Sequence, residues 1–168
     1  MPGRVFFVCH HPGGANAILP VLIALRDRGG YCEGMVSQLS QGVLSSCFPS
    51  TYLMDDRVRE DFAIDTIRKF NPDLVVLGTS EPEDLVLGKP EAVFAFVAQK
   101  QKIPSISVLD FWSGYRARFS LPGSVHLDAL PDAICVMDER AKEKMVAEGF
   151  PDKLLFVTGN PYWDHLGR

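Results

Sequence analysis

The sequence has no cluster of lysine and arginine residues. Its 168 residues include 17 basic and 21 acidic ones, which gives a formal net charge of −4. A protein that binds duplex nucleic acid needs a concentrated basic patch, because its affinity comes largely from releasing phosphate counterions. The charge distribution therefore predicts no nucleic-acid partner.

Long hydrophobic runs are also missing. The longest, residues 19–25, is far shorter than the about 20 apolar residues that a helix needs to cross a bilayer. The apolar run near the N-terminus meets two histidines at once, which is not the pattern of a signal peptide. We therefore expect no membrane span, while peripheral contact with a membrane surface stays open.

The cysteines lack the spacing of metal ligands. Cys9, Cys32, Cys47 and Cys135 form no C-x-x-C pair. Three of them lie in apolar runs, where cysteine behaves as a small buried hydrophobe. We therefore predict neither a metal site nor a disulfide, and we expect a reducing, cytoplasmic location.

Strand-like and helix-like segments alternate along the whole chain, without internal repeats. Predicted strands cover residues 5–9, 31–37, 51–54, 74–77, 105–109, 133–137 and 154–157. Several of them are continuous apolar runs, as expected for strands buried on both faces. Helices of this length between strands require right-handed crossovers. The pattern predicts a single Rossmann-like, doubly wound α/β domain with a mostly parallel sheet and helices on both faces.

Helix boundaries are less well defined in the sequence. The first helix ends at Arg28 and begins either with Asn16 as its cap or with Pro20 at its first position. The third is expected to begin at Asp55 and Asp56. Its predicted apolar face consists of Val58, Phe62, Ala63, Ile67 and Phe70. Others cover residues 40–47, 90–102 and 139–148, the last with Asp138 as its cap.

Ligands of doubly wound sheets bind beyond the carboxyl ends of the strands. After the first strand, Gly13 and Gly14 permit close approach of a ligand, and the helix start with Asn16 offers N–H groups to an anion. His11 is a candidate general base, because its ordinary pKa lies near neutral pH. Alternatively, the glycines form only a tight turn and the histidines are solvated. Because Pro12 disturbs the G-x-G-x-x-G spacing, dinucleotide binding is disfavoured.

Two further strand ends carry polar side chains. After the fourth strand, Thr79 and Ser80 can bind sugar hydroxyls or phosphate oxygens, and Glu81 can orient or deprotonate a hydroxyl. After the fifth strand, Asp110 can bind hydroxyls or accept a proton, and Trp112 can stack on a ring. The structural alternative is that Asp110 caps a local turn and Trp112 packs in the core.

The C-terminal part of the chain resembles a known superfamily. Residues 131–161 contain a strand, a charged helix ending in Glu148-Gly149, and a strand ending in Val-Thr-Gly-Asn at residues 157–160. This order and spacing is similar to that of GT-B glycosyltransferases and UDP-N-acetylglucosamine 2-epimerases. The resemblance implies an N-terminal, acceptor-side domain over residues 1–161. Residues 162–168 would begin the linker to a C-terminal domain that binds most of the nucleotide-sugar.

The resemblance also implies roles for individual residues. Asp110 matches the carboxylate that follows the fifth strand of the epimerases, and Glu81 lies near their fourth-strand carboxylate. Asn160, in the Gly-Asn-Pro motif followed by Asp164, is similar to the same motif of cell-surface polysaccharide transferases and is a substrate-binding candidate. The epimerases' Gly-Thr-Arg-Pro-Glu loop is missing, and Phe111-Trp112 stands where their residues are small. Both departures disfavour epimerase chemistry.

The expected function is therefore that of the acceptor-binding half of a glycosyltransferase-like enzyme in surface polysaccharide biosynthesis. An acceptor hydroxyl would lose its proton to Asp110, His11 or Glu81 and attack the donor's anomeric carbon. The nucleotide-activated sugar is a substrate, and no further cofactor is expected. The alternatives are a non-catalytic binding module or one subunit of a split enzyme, and third a nucleotide-sugar epimerase. The expected location is the cytoplasm, including the inner membrane surface.

Overall fold

The computed structural model describes residues 3–55, 57–80 and 89–166. Within them, seven strands form one sheet in the order β3-β2-β1-β4-β5-β6-β7, and every neighbouring pair is parallel. The strands are β1 Arg4–Cys9, β2 Tyr31–Val36, β3 Thr51–Leu53, β4 Leu74–Leu77, β5 Ser105–Val108, β6 Ala133–Val136 and β7 Leu155–Val157. Strand order reverses between β1 and β4, which are neighbours. The predicted doubly wound parallel sheet is confirmed.

Helices cover both faces of this sheet. They are α1 Pro12–Asp27, α2 Gln41–Leu44, α3 Glu60–Phe70, α4 Pro90–Gln101, α5 Tyr115–Arg118, α6 Glu139–Ala147 and α7 Pro161–Leu166, with a 3₁₀ turn at Asp152–Leu154. Successive side chains of β1 point to opposite faces of the sheet. Phe7 packs with α1 and α2, whereas Phe6 packs with α3 and α4. Continuous burial of β1 explains its unbroken apolar sequence.

The first helix begins earlier than expected. Neither Asn16 nor Pro20 marks its start, because α1 begins at Pro12 and contains both. Pro12 suits a first position, since its fixed φ is helical and its missing N–H would have had no helical partner there. Pro20 is accommodated within the helix, where burial of Ile18 and Leu22 against the sheet holds the segment in place.

The third helix begins later than expected. It starts at Glu60, not at Asp55, and Arg59 precedes it in an extended conformation. Glu60 and Asp61 place negative charge in the first turn, where the helix dipole favours it. Phe62 is exposed and does not belong to the buried face, so that part of the prediction was wrong.

Two short helices in the second half of the chain were not predicted from the sequence. Residues 115–118 form α5, in a stretch without clear periodicity. Residues 161–166 form α7, which packs against α1. No helix in the described ranges is both long and apolar enough to cross a membrane.

Candidate functional site

The carboxyl ends of β1, β4 and β5 meet at one place on the sheet edge, because these three strands are neighbours. The Thr79 hydroxyl donates to Asp110 Oδ1 at 3.0 Å. The backbone N–H of His11 donates to Ser80 Oγ at 3.3 Å. A Cβ placed on Gly13 would lie 2.5 Å from Asp110 Oδ2. Five residues that the sequence singled out therefore form one cluster.

Asp110 is held by a buried ion pair. Arg118 Nη1 lies 2.8 Å from Asp110 Oδ1, and the two side chains are only 4% and 14% exposed. The same nitrogen donates to the Thr79 carbonyl at 2.8 Å, and Nε donates to the Ser113 carbonyl at 2.9 Å. Arg118 thus joins the ends of β4 and β5. Among the described residues, Oδ1 accepts these two hydrogen bonds from Thr79 and Arg118, whereas Oδ2 lies against Gly13.

The glycines after β1 allow close packing of these loops. The place of a Gly13 side chain is taken by the Asp110 carboxylate. A Cβ on Gly14 would lie 3.1 Å from Cys9 Sγ and 3.2 Å from the Thr79 nitrogen. The Asp110 carboxylate therefore lies at the positive end of α1, where the helix dipole favours a negative charge. Ligand contact through Gly13 and Gly14 stays a prediction.

A buried carboxylate that sequence reasoning missed lies beneath the same loop. Glu91, in the first turn of α4, accepts hydrogen bonds through Oε1 from Ser80 Oγ at 2.6 Å and from the His10 backbone N–H at 2.7 Å. On its other side, the His10 carbonyl accepts from the hydroxyls of Ser37 and Ser40. These bonds fasten the β1–α1 loop to β2 and α4. The sequence signal for this buried carboxylate was a single acidic residue directly after Pro90, in the first turn of an otherwise apolar helix.

Burial and the two nearby carboxylates together change the acidity of Cys9. The pKa of the Cys9 thiol is raised well above its ordinary value, first by burial and then by the negative charges of Glu91 and Asp110. Cys9 Sγ donates to the His11 carbonyl at 3.2 Å. Cys9 is therefore a neutral, structural thiol, as its apolar sequence context predicted.

His11 lies at the accessible rim of the cluster. It occupies the residue before α1 in an extended conformation, and its ring is partly exposed beside that of His10, with centroids 4.5 Å apart. Thr79 and Ser80, in contrast, are buried, and their hydroxyls bind within the chain. Among the described residues of this cluster, His11 is therefore more exposed than Thr79 and Ser80.

Trp112 and Asp138 both make structural contacts. Trp112 is half-buried, packs on a core cluster and donates from Nε1 to Asp138 Oδ2 at 2.8 Å. Asp138 Oδ1 accepts from the Ala141 N–H at 2.7 Å, so the predicted helix cap is confirmed. The Ala141 N–H first, and then Trp112, lower the pKa of the Asp138 carboxyl. Stacking of a ligand on Trp112 stays a prediction.

The remaining candidates lie apart from this cluster or outside the described ranges. Asn16 is partly exposed in the second turn of α1. Asn160 is nearly buried, and its Oδ1 accepts from the Tyr162 N–H at 3.1 Å at the start of α7. Glu81 lies outside the residues that the structure describes. Within those residues, no group of three or more potential ligand side chains could hold a metal ion.

Comparisons with known proteins identify where this fold recurs. No model of a protein family and no curated protein matches the sequence. Among solved structures, the chain is similar to a UDP-GlcNAc 2-epimerase of Methanocaldococcus jannaschii in complex with UDP-GlcNAc and UDP, with 16% identity and a TM-score of 0.65. It is also similar to Anabaena Alr3699/HepE in complex with UDP-glucose, with 13% identity and a TM-score of 0.67.

A third similar structure is the lipopolysaccharide outer core galactosyltransferase WaaB, with 13% identity and a TM-score of 0.55. The alignments cover 92–94% of this chain but only 44–46% of those three chains. The chain therefore spans less than half the length of the proteins that it resembles. The fold of this chain is thus shared with part of each of these longer proteins.

Proposed function

We propose that this chain is the acceptor-side half of a glycosyltransferase-like enzyme that uses a nucleotide-activated sugar. The observation that carries the proposal is the position of His11 and Asp110. Both lie at the carboxyl edge of the sheet, beside the β1–β4 pair where strand order reverses. Ligands of open α/β sheets bind at such a reversal. Proteins that share the fold, and about twice the length, bind UDP-sugars or are named as a galactosyltransferase.

His11 is the better general base of the two. Asp110 Oδ1 already accepts from Thr79 and Arg118, and its pairing with Arg118 assigns it to holding the loops in place. In the proposed reaction, the acceptor hydroxyl gives its proton to the His11 imidazole while its oxygen bonds to the anomeric carbon. The bond from that carbon to the nucleotide diphosphate breaks, and its electron pair leaves with the diphosphate.

The diphosphate is assigned to a second Rossmann-like half. On the described surface at the start of α1, it would face the Asp110 carboxylate, and like charges repel. The large residues Phe111 and Trp112 differ from the small residues of the epimerases at this place, and this difference supports transfer over epimerisation as the reaction. The proposal includes a role in surface polysaccharide biosynthesis, in the cytoplasm at the inner membrane surface. The Gly159-Asn160-Pro161 motif supports this role.

Release of UDP provides the test. The chain is incubated with UDP-glucose or UDP-N-acetylglucosamine and acceptor saccharides, alone and with a second Rossmann-like half supplied as a separate subunit. We expect no turnover by the chain alone, because positioning and desolvation require a closed cleft. With both halves present, His11→Gln should reduce the rate about 10²–10⁴-fold. His126→Gln, an exposed histidine in the loop before β6, is the matched control.

Three results would contradict this proposal. Multiple turnover by the chain alone would show that it is not half of an enzyme. A His11→Gln variant as active as the His126→Gln variant would remove His11 as the base. Saturable binding of a UDP-sugar by both halves together, without any turnover, would favour the non-catalytic binding module instead.

A further inference from the structure

Three aromatic rings form a continuous row at the carboxyl edge of the sheet. Phe111 and Trp112 follow β5, and Trp163 lies on α7. The ring centroids of Phe111 and Trp112 are 6.2 Å apart, and those of Trp112 and Trp163 are 5.3 Å apart. We call these three residues the aromatic ridge. Phe111 and Trp163 are each 55% exposed, so the two outer rings face solvent.

The middle ring anchors the ridge to the domain. Trp112 packs on the buried cluster that contains Tyr115 and Met145. Its Nε1 donates to Asp138 Oδ2, while Asp138 Oδ1 caps α6. The role of Trp112 is therefore to support its neighbours, and the surface open to a ligand is provided by Phe111 and Trp163. Large aromatic rings exposed side by side mark an interaction site more often than rings exposed singly.

The polar groups beside the ridge are mainly hydrogen-bond acceptors. Asp110 precedes Phe111 and has Oδ2 available, and Asp164 follows Trp163 and is exposed. Within the described part of the chain, nothing accepts a hydrogen bond from the Trp163 indole N–H. Apolar ring faces with carboxylate acceptors and an N–H donor at their edges match a sugar ring, whose C–H faces stack while its hydroxyls hydrogen-bond.

The same charges disfavour an anionic ligand. A phosphate or an acidic lipid headgroup would meet Asp110, Asp138 and Asp164. Arg118 is buried and already binds three oxygens of the chain, and the exposed cations near Trp112 include Lys144, which lines a surface cavity with it, and Arg140 beside Asp138. An uncharged ligand avoids this repulsion.

We propose that the aromatic ridge is a subsite for an uncharged saccharide, stacked on Phe111 and Trp163. This inference rests on the proposed function and names the acceptor class, a glycan. Because Phe111 follows Asp110 directly in the chain, a sugar on the ridge lies next to the loops that carry Asp110 and His11. The growing end of a glycan acceptor would be delivered there.

The composition of the protein makes this surface easy to observe. The sequence contains two tryptophans, and both belong to the ridge. Selective excitation of tryptophan therefore reports on the ridge alone. The purified chain is titrated with three uncharged disaccharides, N,N′-diacetylchitobiose, lactose and cellobiose, and binding is followed by tryptophan emission and by ligand-detected NMR. We expect weak, saturable binding of at least one of them.

Variants of the two exposed rings test the assignment. Trp163→Ala should weaken saccharide binding about tenfold, which is the loss expected from one stacked ring. Trp163→Phe retains a ring and should restore most of the affinity. Phe111→Ala should also weaken binding. Phe156→Ala, an equally exposed phenylalanine on the edge strand β7, is the matched control and should bind as the wild type does.

The outcomes separate this inference from the proposed function. No saturable binding of any of the three disaccharides, or equal affinity of the Trp163→Ala and Phe156→Ala variants, overturns the saccharide subsite. So does a tryptophan response to UDP or to vesicles of acidic phospholipid in place of the disaccharides. UDP release by the two halves is measured independently. If saccharide binding depends on Trp163 while no UDP is released, only the transferase proposal fails.

Discussion

The ion pair between Asp110 and Arg118 leads to a quantitative prediction about stability. Arg118 is almost completely buried and donates to Asp110, to the Thr79 carbonyl and to the Ser113 carbonyl. Arg118→Met keeps most of the side-chain volume but removes all three donors and leaves a buried carboxylate without its cation. Breaking a buried pair in this way costs about 3–5 kcal/mol. For a domain of this size that lowers Tm by roughly 6–20 °C.

Denaturant and thermal unfolding, followed by circular dichroism, measure this loss. Arg68→Met is the matched control, because Arg68 and Asp65 form a pair at 4.0 Å whose side chains are 73% and 81% exposed. Exposed pairs contribute about 0–1 kcal/mol. The Arg68 pair should also weaken with salt, whereas the Arg118 pair should respond little, since buried charges are poorly screened.

A second variant, Asp110→Asn, tests the charge of the Asp110 side chain separately from its shape. Asp110→Asn keeps an oxygen that can accept from Thr79 but removes the charge that balances Arg118, so we expect a clear loss of stability here too. In the double variant Asp110→Asn, Arg118→Met, the loss should be smaller than the sum of the two single losses, because neither charge is left alone. A loss below about 1 kcal/mol for Arg118→Met, like that of an exposed pair, would refute the reasoning.

Two further predictions concern the loop after β1 and the cap of α6. Gly13→Ala should destabilise the protein by about 1–3 kcal/mol, because the new Cβ would meet Asp110 Oδ2; Gly42→Ala, with nothing within 4 Å of its Cβ, should be neutral or stabilising in the same unfolding assay. Asp138→Ala should cost about 1 kcal/mol at neutral pH through loss of the cap to Ala141. Folding lowers the pKa of Asp138, so its contribution is complete above the carboxyl's ordinary pKa and disappears as pH falls through the lowered value. The wild type and Asp138→Ala should therefore become equally stable in acid, and a constant difference would contradict this account.

The parts of the structure that were predictable from the sequence depend on local patterns. Unbroken apolar runs at β1 and β4 identified strands buried on both faces, and the structure places both at the centre of the sheet. Asp138 was identified as a cap because the capping residue and the stop signal of this short helix lie within a dozen residues of each other in the sequence. Where local signals compete, as with Asn16 and Pro20, neither marked the start of α1, which begins at Pro12 and buries Ile18 and Leu22.

Strand order also explains why the site's location was predictable and its chemistry was not. In a parallel doubly wound sheet, residues that follow central strands meet at one edge, whatever their side chains do there. Only the tertiary structure shows that the hydroxyls of Thr79 and Ser80 bind within the chain.

Contacts between distant residues could not be read from any local pattern. Glu91 reaches the His10 N–H across 81 positions, and Thr79 reaches Asp110 across 31. Arg118 lies only eight positions from Asp110, yet its role depends on a helix that local periodicity did not indicate. By itself, the sequence determined the sheet, its two-sided burial and the edge where the candidate residues meet, because these follow from hydrophobic pattern and chain connectivity. The tertiary structure decided which charges are paired at this edge and which aromatic rings are exposed. The physical reason is the order of the strands in the sheet, which brings distant parts of the chain together.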